Sequence, residues 1–303
     1  MLDDASLADW CDRHLGARPA RELFRCGHLS QVFAAELADG RRVVIKGRSS
    51  DPRIAGCVAV QEHLSRTGFP CPVPLTGPVE LGGLTVTAET LVPGGSQLPV
   101  DGGAEPFAAL LARLISCAPS AAAVPSLAPS PPWTGWDHPG ARLWPDRDDR
   151  GGDLNTSPGP AWVDDAARRV RERLNACVAP VRIGHGDWES QNIRWSGSNP
   201  LAVHDWDSVI AQPEPAIVGL AAAVWPAAGA PGEAATVAQS AEFIAAYQRA
   251  ADRRWSEPEV REAWAAGLWV RLFNAKKDAV DGGGPQLDRL ADEVGERLAL
   301  AAL

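Results

Sequence analysis

Residues 185–192 read HGDWESQN, and residues 204–208 read HDWDS. Between them, Ile193-Arg194-Trp195 and Leu201-Ala202-Val203-His204 are short runs of strand-favouring residues, separated by SGSNP. Two such runs around a glycine-bearing turn predict a β-hairpin. Folding it back brings Asn192 nearly opposite Asp205, to within one residue of register. Facing residues on antiparallel strands have Cα atoms about 4.5–5.5 Å apart. An amide oxygen beside a carboxylate is a hard oxygen site suited to Mg2+. That ion takes one or two protein oxygens and fills its other positions with phosphates and water, so the pair implies a phosphorylated ligand. Asp187, five residues before Asn192, lies in the loop entering the hairpin. A carboxylate there can face the same cleft and accept the proton of an attacking hydroxyl. The competing reading is a hairpin with solvated carboxylates at its base.

The chain has 303 residues, 45% of them hydrophobic, which predicts a globular protein of one large domain or two lobes. Its formal net charge of -9 argues against a general binder of nucleic acid or anionic membrane and is compatible with a cationic partner. The first residues, MLDDASLADWCDRHLG, have neither the basic region nor the apolar run of a secretory signal. The least polar window, AIVGLAAAVW, is too short for a membrane span. A cytoplasmic location without a membrane partner is expected. The six cysteines are scattered with no C-x-x-C pair, as for reduced thiols.

Leu2, Leu7, Trp10 and Leu15 fall at helix-like intervals. The stretch ELFRCGHLSQVFAAELADGRRVVIKG then reads as strand, glycine turn, strand, Asp39-Gly40 hairpin turn and strand. A helix follows over 53–66, and extended segments run from there to a hinge at about 89–95. Residues 1–92 thus predict a small α+β lobe. Beyond it, residues 96–303 read as mainly helical: 107–118, 162–176, 214–225, 234–253, 258–280 and 285–301. The Pro-, Asp- and Trp-rich stretch 119–160 has no periodicity and reads as a functional insert or a mobile segment.

His185-Gly186-Asp187, four residues and Asn192 reproduce the spacing of H-R-D-x-x-x-x-N in protein kinases, and Asp205-Trp206-Asp207 stands where D-F-G would. With these two motifs the chain resembles the aminoglycoside phosphotransferase and choline kinase family of small-molecule kinases. The resemblance covers about residues 20–95 and 165–280. It implies an α+β, protein-kinase-like bilobal fold with a small β-rich N-lobe and a larger, mainly helical C-lobe. It also implies ATP- and Mg2+-dependent transfer of the γ-phosphate to a hydroxyl of a small molecule. Within it, Lys46 of VVIK is the strand lysine on the phosphates. Gly27 and Ser30 belong to a reduced nucleotide loop offering backbone N–H groups. The family's helix glutamate falls at Cys57 or Val58, so Glu62, one turn later, becomes the expected partner of Lys46. Backbone groups of Glu89 and Leu91 are expected to bind adenine. His185 supports the loop, His204 and Trp206 pack, and Asn192 and Asp205 hold the metal.

The acceptor is expected between the catalytic loop and the C-terminal helices, with acidic residues meeting a cationic substrate such as an aminoglycoside or amino sugar. Glu189 and Asp207 are candidates, Asp207 having a structural role as its alternative. Asp146, Asp148, Asp149 and Asp153 lie in the 119–160 stretch, where a charge run is usually a solvated face. Trp133, Trp136, Trp144, Trp264 and Trp269 are candidates for stacking, against core packing at helical spacing. A metabolic sugar or amino-alcohol kinase and a nucleotide-binding pseudokinase are the alternatives, the second because the helix glutamate is displaced.

Overall fold

The computed structural model describes residues 4–27, 30–147, 149 and 151–303. Leu2, Asp148 and positions 28–29 of the expected nucleotide loop lie outside them. The Asp39-Gly40 turn closes β2 (Gln31–Leu37) onto β3 (Arg42–Arg48), with Gly40 at φ 84°. This left-handed backbone costs glycine little. β1 (Pro19–Cys26) pairs with β2, and β5 (Leu84–Thr90) joins β3 to β4 (Val79–Leu81). The result is a five-stranded antiparallel sheet of order β1-β2-β3-β5-β4. The helix α1 (Asp4–Leu15) turns Leu7, Trp10, Cys11 and Leu15 inward, where they meet Phe33, Val43, Ile45 and Val86 of the sheet.

A second, larger core is built from α3 (Glu105–Cys117), α4 (Ala161–Asn175), α5 (Glu214–Val224), α6 (Val237–Ala250), α7 (Glu257–Val280) and α8 (Pro285–Leu300). Two antiparallel ribbons sit in this lobe: β6 (Val181–His185) with β9 (Val209–Pro213), and β7 (Ile193–Ser196) with β8 (Asn199–Val203). The helix α2 (Ile54–Arg66) precedes β4 in sequence, yet its Cys57, Val60 and Leu64 are buried in the larger core. Its N-terminal Arg53 also donates to the carbonyl of Val209. Among the described residues, no helix is long and apolar enough to cross a membrane.

Helix α5 is buried along its whole length and crosses α7 at glycines. A Cβ on Gly219 would lie 1.9 Å from the carbonyl oxygen of Ala263, and one on Gly267 would lie 2.7 Å from that of Gly219. The two backbones therefore touch. Gly219→Ala is expected to destabilise the protein at or beyond the upper end of the ~1–3 kcal/mol typical of overpacking. A thermal melt measures this, and an unchanged midpoint would contradict the crossing.

Of the two readings of the stretch 119–160, a functional insert or a mobile segment, the packing of its described residues favours the insert. It lacks long elements because tertiary contacts hold it. Leu127, Trp136, Trp144 and Leu154 are buried in the larger core, and the rings of Trp136 and Trp144 lie 6.5 and 5.4 Å from that of Trp269. Trp264 and Trp269 are core residues as well. Of the five tryptophans considered for stacking, Trp133 alone is not fully buried. The described acids of this stretch are also engaged: Asp149 pairs with Arg147 and Lys277, and Asp153 and the exposed Asp146 lie near Arg142.

Candidate active site

The site begins where β6 ends. His185 is fully buried, donating from Nε2 to the carbonyl of His204 (3.0 Å) and accepting the Asp187 N–H at Nδ1 (3.2 Å). One nitrogen that donates and one that accepts describe a neutral imidazole. Burial agrees, pushing its pKa down to about 4. The ring of Trp206 stands edge-on to it at 5.8 Å, and the indole of Trp188 donates to the carbonyl of Phe107 (3.2 Å). His185 thus fixes the loop that presents Asp187.

The β7–β8 hairpin is tighter than expected: Gly197-Ser198 alone make the turn, while Asn199 and Pro200 belong to β8. His204, not Asp205, faces Asn192, its N–H donating to the Asn192 carbonyl (2.8 Å). Asp205 then adopts the left-handed region (φ 65°, ψ 51°). A non-glycine residue pays about 1–2 kcal/mol for this, a strain characteristic of functional sites. With that turn, Asp187, Asn192 and Asp205 all line one cavity of ≈ 590 Å³. The Asn192 amide nitrogen donates to the Asp187 carbonyl (3.0 Å) and to Oδ2 of its carboxylate (2.8 Å). The amide oxygen is left with no partner among the described residues.

Gly27 and Ser30, at the β1–β2 turn, line the same cavity. Gly27 has φ 152°, and a Cβ there would sit 1.9 Å from the Ser30 carbonyl oxygen. Only glycine fits this turn. From β3, Lys46 reaches Glu89 Oε1 (3.4 Å) and Asp205 Oδ1 (3.7 Å). Burial would lower its pKa, but Glu89, Asp205 and Asp207 outweigh it and hold the ammonium firmly charged.

One expectation is corrected here and a second is narrowed. Glu62 is exposed and pairs with Arg66. Successive helix residues are about 100° apart around the axis, and α2 turns Gln61 inward instead. Gln61 donates to Glu89 Oε2 (2.8 Å) and to the Pro72 carbonyl (3.0 Å). The partner of Lys46 is therefore Glu89, through its side chain. Glu89 sits opposite Val44 within the sheet, and the Leu91 N–H already donates to the Arg42 carbonyl (3.0 Å). That donor is not open to adenine. Glu89→Gln leaves a nearly buried ammonium with Asp205 alone, so we expect a loss on the order of 3 kcal/mol in stability and a raised KM for nucleotide. Glu62→Gln is expected to change neither, as a thermal melt and nucleotide titration of both variants will show.

Arg48, two residues beyond Lys46, pairs with Asp207, two residues beyond Asp205, at 2.5 Å. Despite burial, Arg48 and then Lys46 hold Asp207 down at about 2. This favours the structural reading of Asp207 over a substrate contact. Burial, then Asp207, pushes Asp205 up to about 7 even though 40% of its side chain is open to the cleft. Burial likewise lifts Glu189 to about 7 and Asp187 well above the usual carboxylate range. Five carboxylates here, Glu89 included, face two side-chain cations, Lys46 and Arg48. Such excess acid, with the spare amide oxygen of Asn192, fits a divalent cation bound through hard oxygens. Among the described residues no three His, Cys, Asp or Glu side chains form an all-protein cage, so an ion here would draw on phosphate and water.

The chain's fold is shared by an amicoumacin kinase, hAmiN, solved in complex with AMP-PNP, Ca2+ and Ami (12% identity, 98% of this chain and 93% of that one, TM-score 0.67). It is also shared by the macrolide 2'-phosphotransferase MphH from Brachybacterium faecium (17% identity, 99% and 97%, TM-score 0.58). A third is the spectinomycin phosphotransferase APH(9)-Ia, solved with ADP and spectinomycin (12% identity, 99% and 94%, TM-score 0.57). At these identities the likeness is one of fold. No curated protein sequence matches the chain. The phosphotransferase enzyme family matches residues 21–263. With that match over most of its length and a kinase-like cleft between sheet and helices, the chain belongs to the phosphotransferase enzyme family and is a small-molecule kinase.

Proposed function

We propose that the protein transfers the γ-phosphoryl group of ATP, with Mg2+, to a hydroxyl of a small cationic molecule in the cytoplasm. The observation that carries this reading is the Asn192 amide, whose nitrogen holds Asp187 and whose oxygen is left to the cleft shared with Asp205. Asn192 and Asp205 would hold the ion, which neutralises phosphate charge. Lys46 adds its positive charge beside Asp205, and backbone at Gly27 and Ser30, which line the same cavity, would meet the phosphates. Asp187 accepts the proton of the acceptor hydroxyl and orients it in line with the transferring group. Because the transition state is loose, positioning and charge compensation supply most of the rate. The nucleotides in two solved structures of the same fold, AMP-PNP with Ca2+ and ADP, support a nucleotide in this cleft.

The test is Mg2+-dependent ADP release over aminoglycosides, peptide antibiotics, amino sugars and amino alcohols. Release with at least one class, abolished by chelation, is expected. Nucleotide binding without transfer to any acceptor would instead indicate a binding-only protein. Expression in a sensitive host separates an antibiotic-modifying kinase, which raises tolerance, from a metabolic one, which does not.

A further inference from the structure

We propose that the acceptor carries a single cationic group beside a flat or apolar body, and that Glu189 and Trp133 select it. This rests on the roles given above to Asp187, Asn192 and Asp205. Once these are set, the acids of the cleft can be accounted for one by one. Asp187 meets the hydroxyl, Asp205 the ion, and Asp207 is tied to Arg48. Glu233, near Glu189, accepts the N–H groups of Ala228 and Ala230 in its own loop. In 119–160, Asp146, Asp149 and Asp153 have arginine or lysine neighbours, and Asp137 accepts from Ser130 and Gln212. Among the described residues lining the cleft, Glu189 alone remains as a carboxylate for the acceptor. It is held by Gln191, whose amide donates to it.

The rest of the wall is not acidic. The Trp133 indole donates to the carbonyl of Gly186 (2.9 Å), which pins the ring beside Asp187. Val224 and Val270 line the cavity with it, as does Asn274, whose amide has no partner among the described residues. A pinned indole attracts a cation and offers a flat apolar face. One carboxylate balances one ammonium. An acceptor with several ammonium groups would bring charges with no counter-charge in the cleft, and each buried unpaired charge is costly. A neutral acceptor would leave the Glu189 charge with the Gln191 amide and no cation. The Asn274 amide adds a hydrogen bond to a polar group on the same body.

The experiment measures ADP release for matched acceptors: phenylalaninol and glucosamine with one ammonium, phenylpropanol and glucose as their neutral counterparts, and the polybasic kanamycin. The singly charged members are expected to have the highest kcat/KM. Glu189→Gln should reduce that value about 30-fold or more for them relative to the neutral counterparts, as expected when one member of a desolvated charge pair is removed. Highest activity with kanamycin or with neutral acceptors, or equal effects of Glu189→Gln on charged and neutral compounds, overturns the proposal. An enzyme that binds ATP but transfers phosphate to no acceptor of this set or of the wider panel contradicts the phosphotransfer roles themselves, a result distinct from those that overturn the selection.

Discussion

Asp187→Asn is expected to lower kcat by about 100- to 10,000-fold, the usual contribution of a positioned general base, while ATP binding stays near wild type. The substitution keeps the shape of the side chain. Its contact with Asn192 at 2.8 Å and the His185 bond to its backbone need no repacking. What disappears is the ability to take the hydroxyl proton. Single-turnover ADP release, with nucleotide titration alongside, checks this. Transfer surviving near the wild-type rate would remove the base role and leave Asp187 as a positioning residue.

Asp205→Ala is expected to abolish the Mg2+ dependence of nucleotide binding and to cut turnover on the order of 100-fold or more, because charge compensation at the phosphates is worth several kcal/mol. Asp205→Asn separates charge from backbone, since asparagine tolerates the left-handed region better than alanine does. Both variants should behave alike if the carboxylate is what counts. ATP titrations at stepped Mg2+ concentrations read this directly. A Mg2+ dependence matching that of the wild type in both would withdraw the metal role. A defect in Asp205→Ala alone would mean that the turn, rather than the charge, is the essential feature.

Much of the site is legible in the sequence because it is local. Asp187, Asn192 and Asp205 sit within one loop and one hairpin, so strand pairing alone brings them to a single end. The β2–β3 hairpin is announced by Asp39-Gly40, and the helices by apolar spacing. The partner of Lys46 was not local. Choosing between Gln61 and Glu62 requires knowing which face of α2 meets the larger core, and adjacent helix residues differ only in that rotation. The strand pattern did hold a signal: Lys46 sits opposite Thr87, so Glu89, two residues on, shares its face of the sheet. The same period of two puts Lys46 and Arg48 on one face of β3, where they meet Asp205 and Asp207 of the turn after β8. The stretch 119–160 was illegible for another reason. Its order comes from buried tryptophans and short 3-10 turns, which leave no period in the sequence.

The packing of α2 has one further consequence. Because the helix is built into the larger core while Lys46 and Glu89 sit on adjacent strands of the sheet, the 2.8 Å bond from Gln61 to Glu89 spans the seam between the two lobes. Lys46 to Asp205 and Arg48 to Asp207 span it as well. A rotation of α2 cannot separate Lys46 from Glu89; parting the lobes strips away the outer contacts and leaves that pair intact. The phosphate clamp is thus carried whole by the sheet, and the seam contacts act as a gauge of closure.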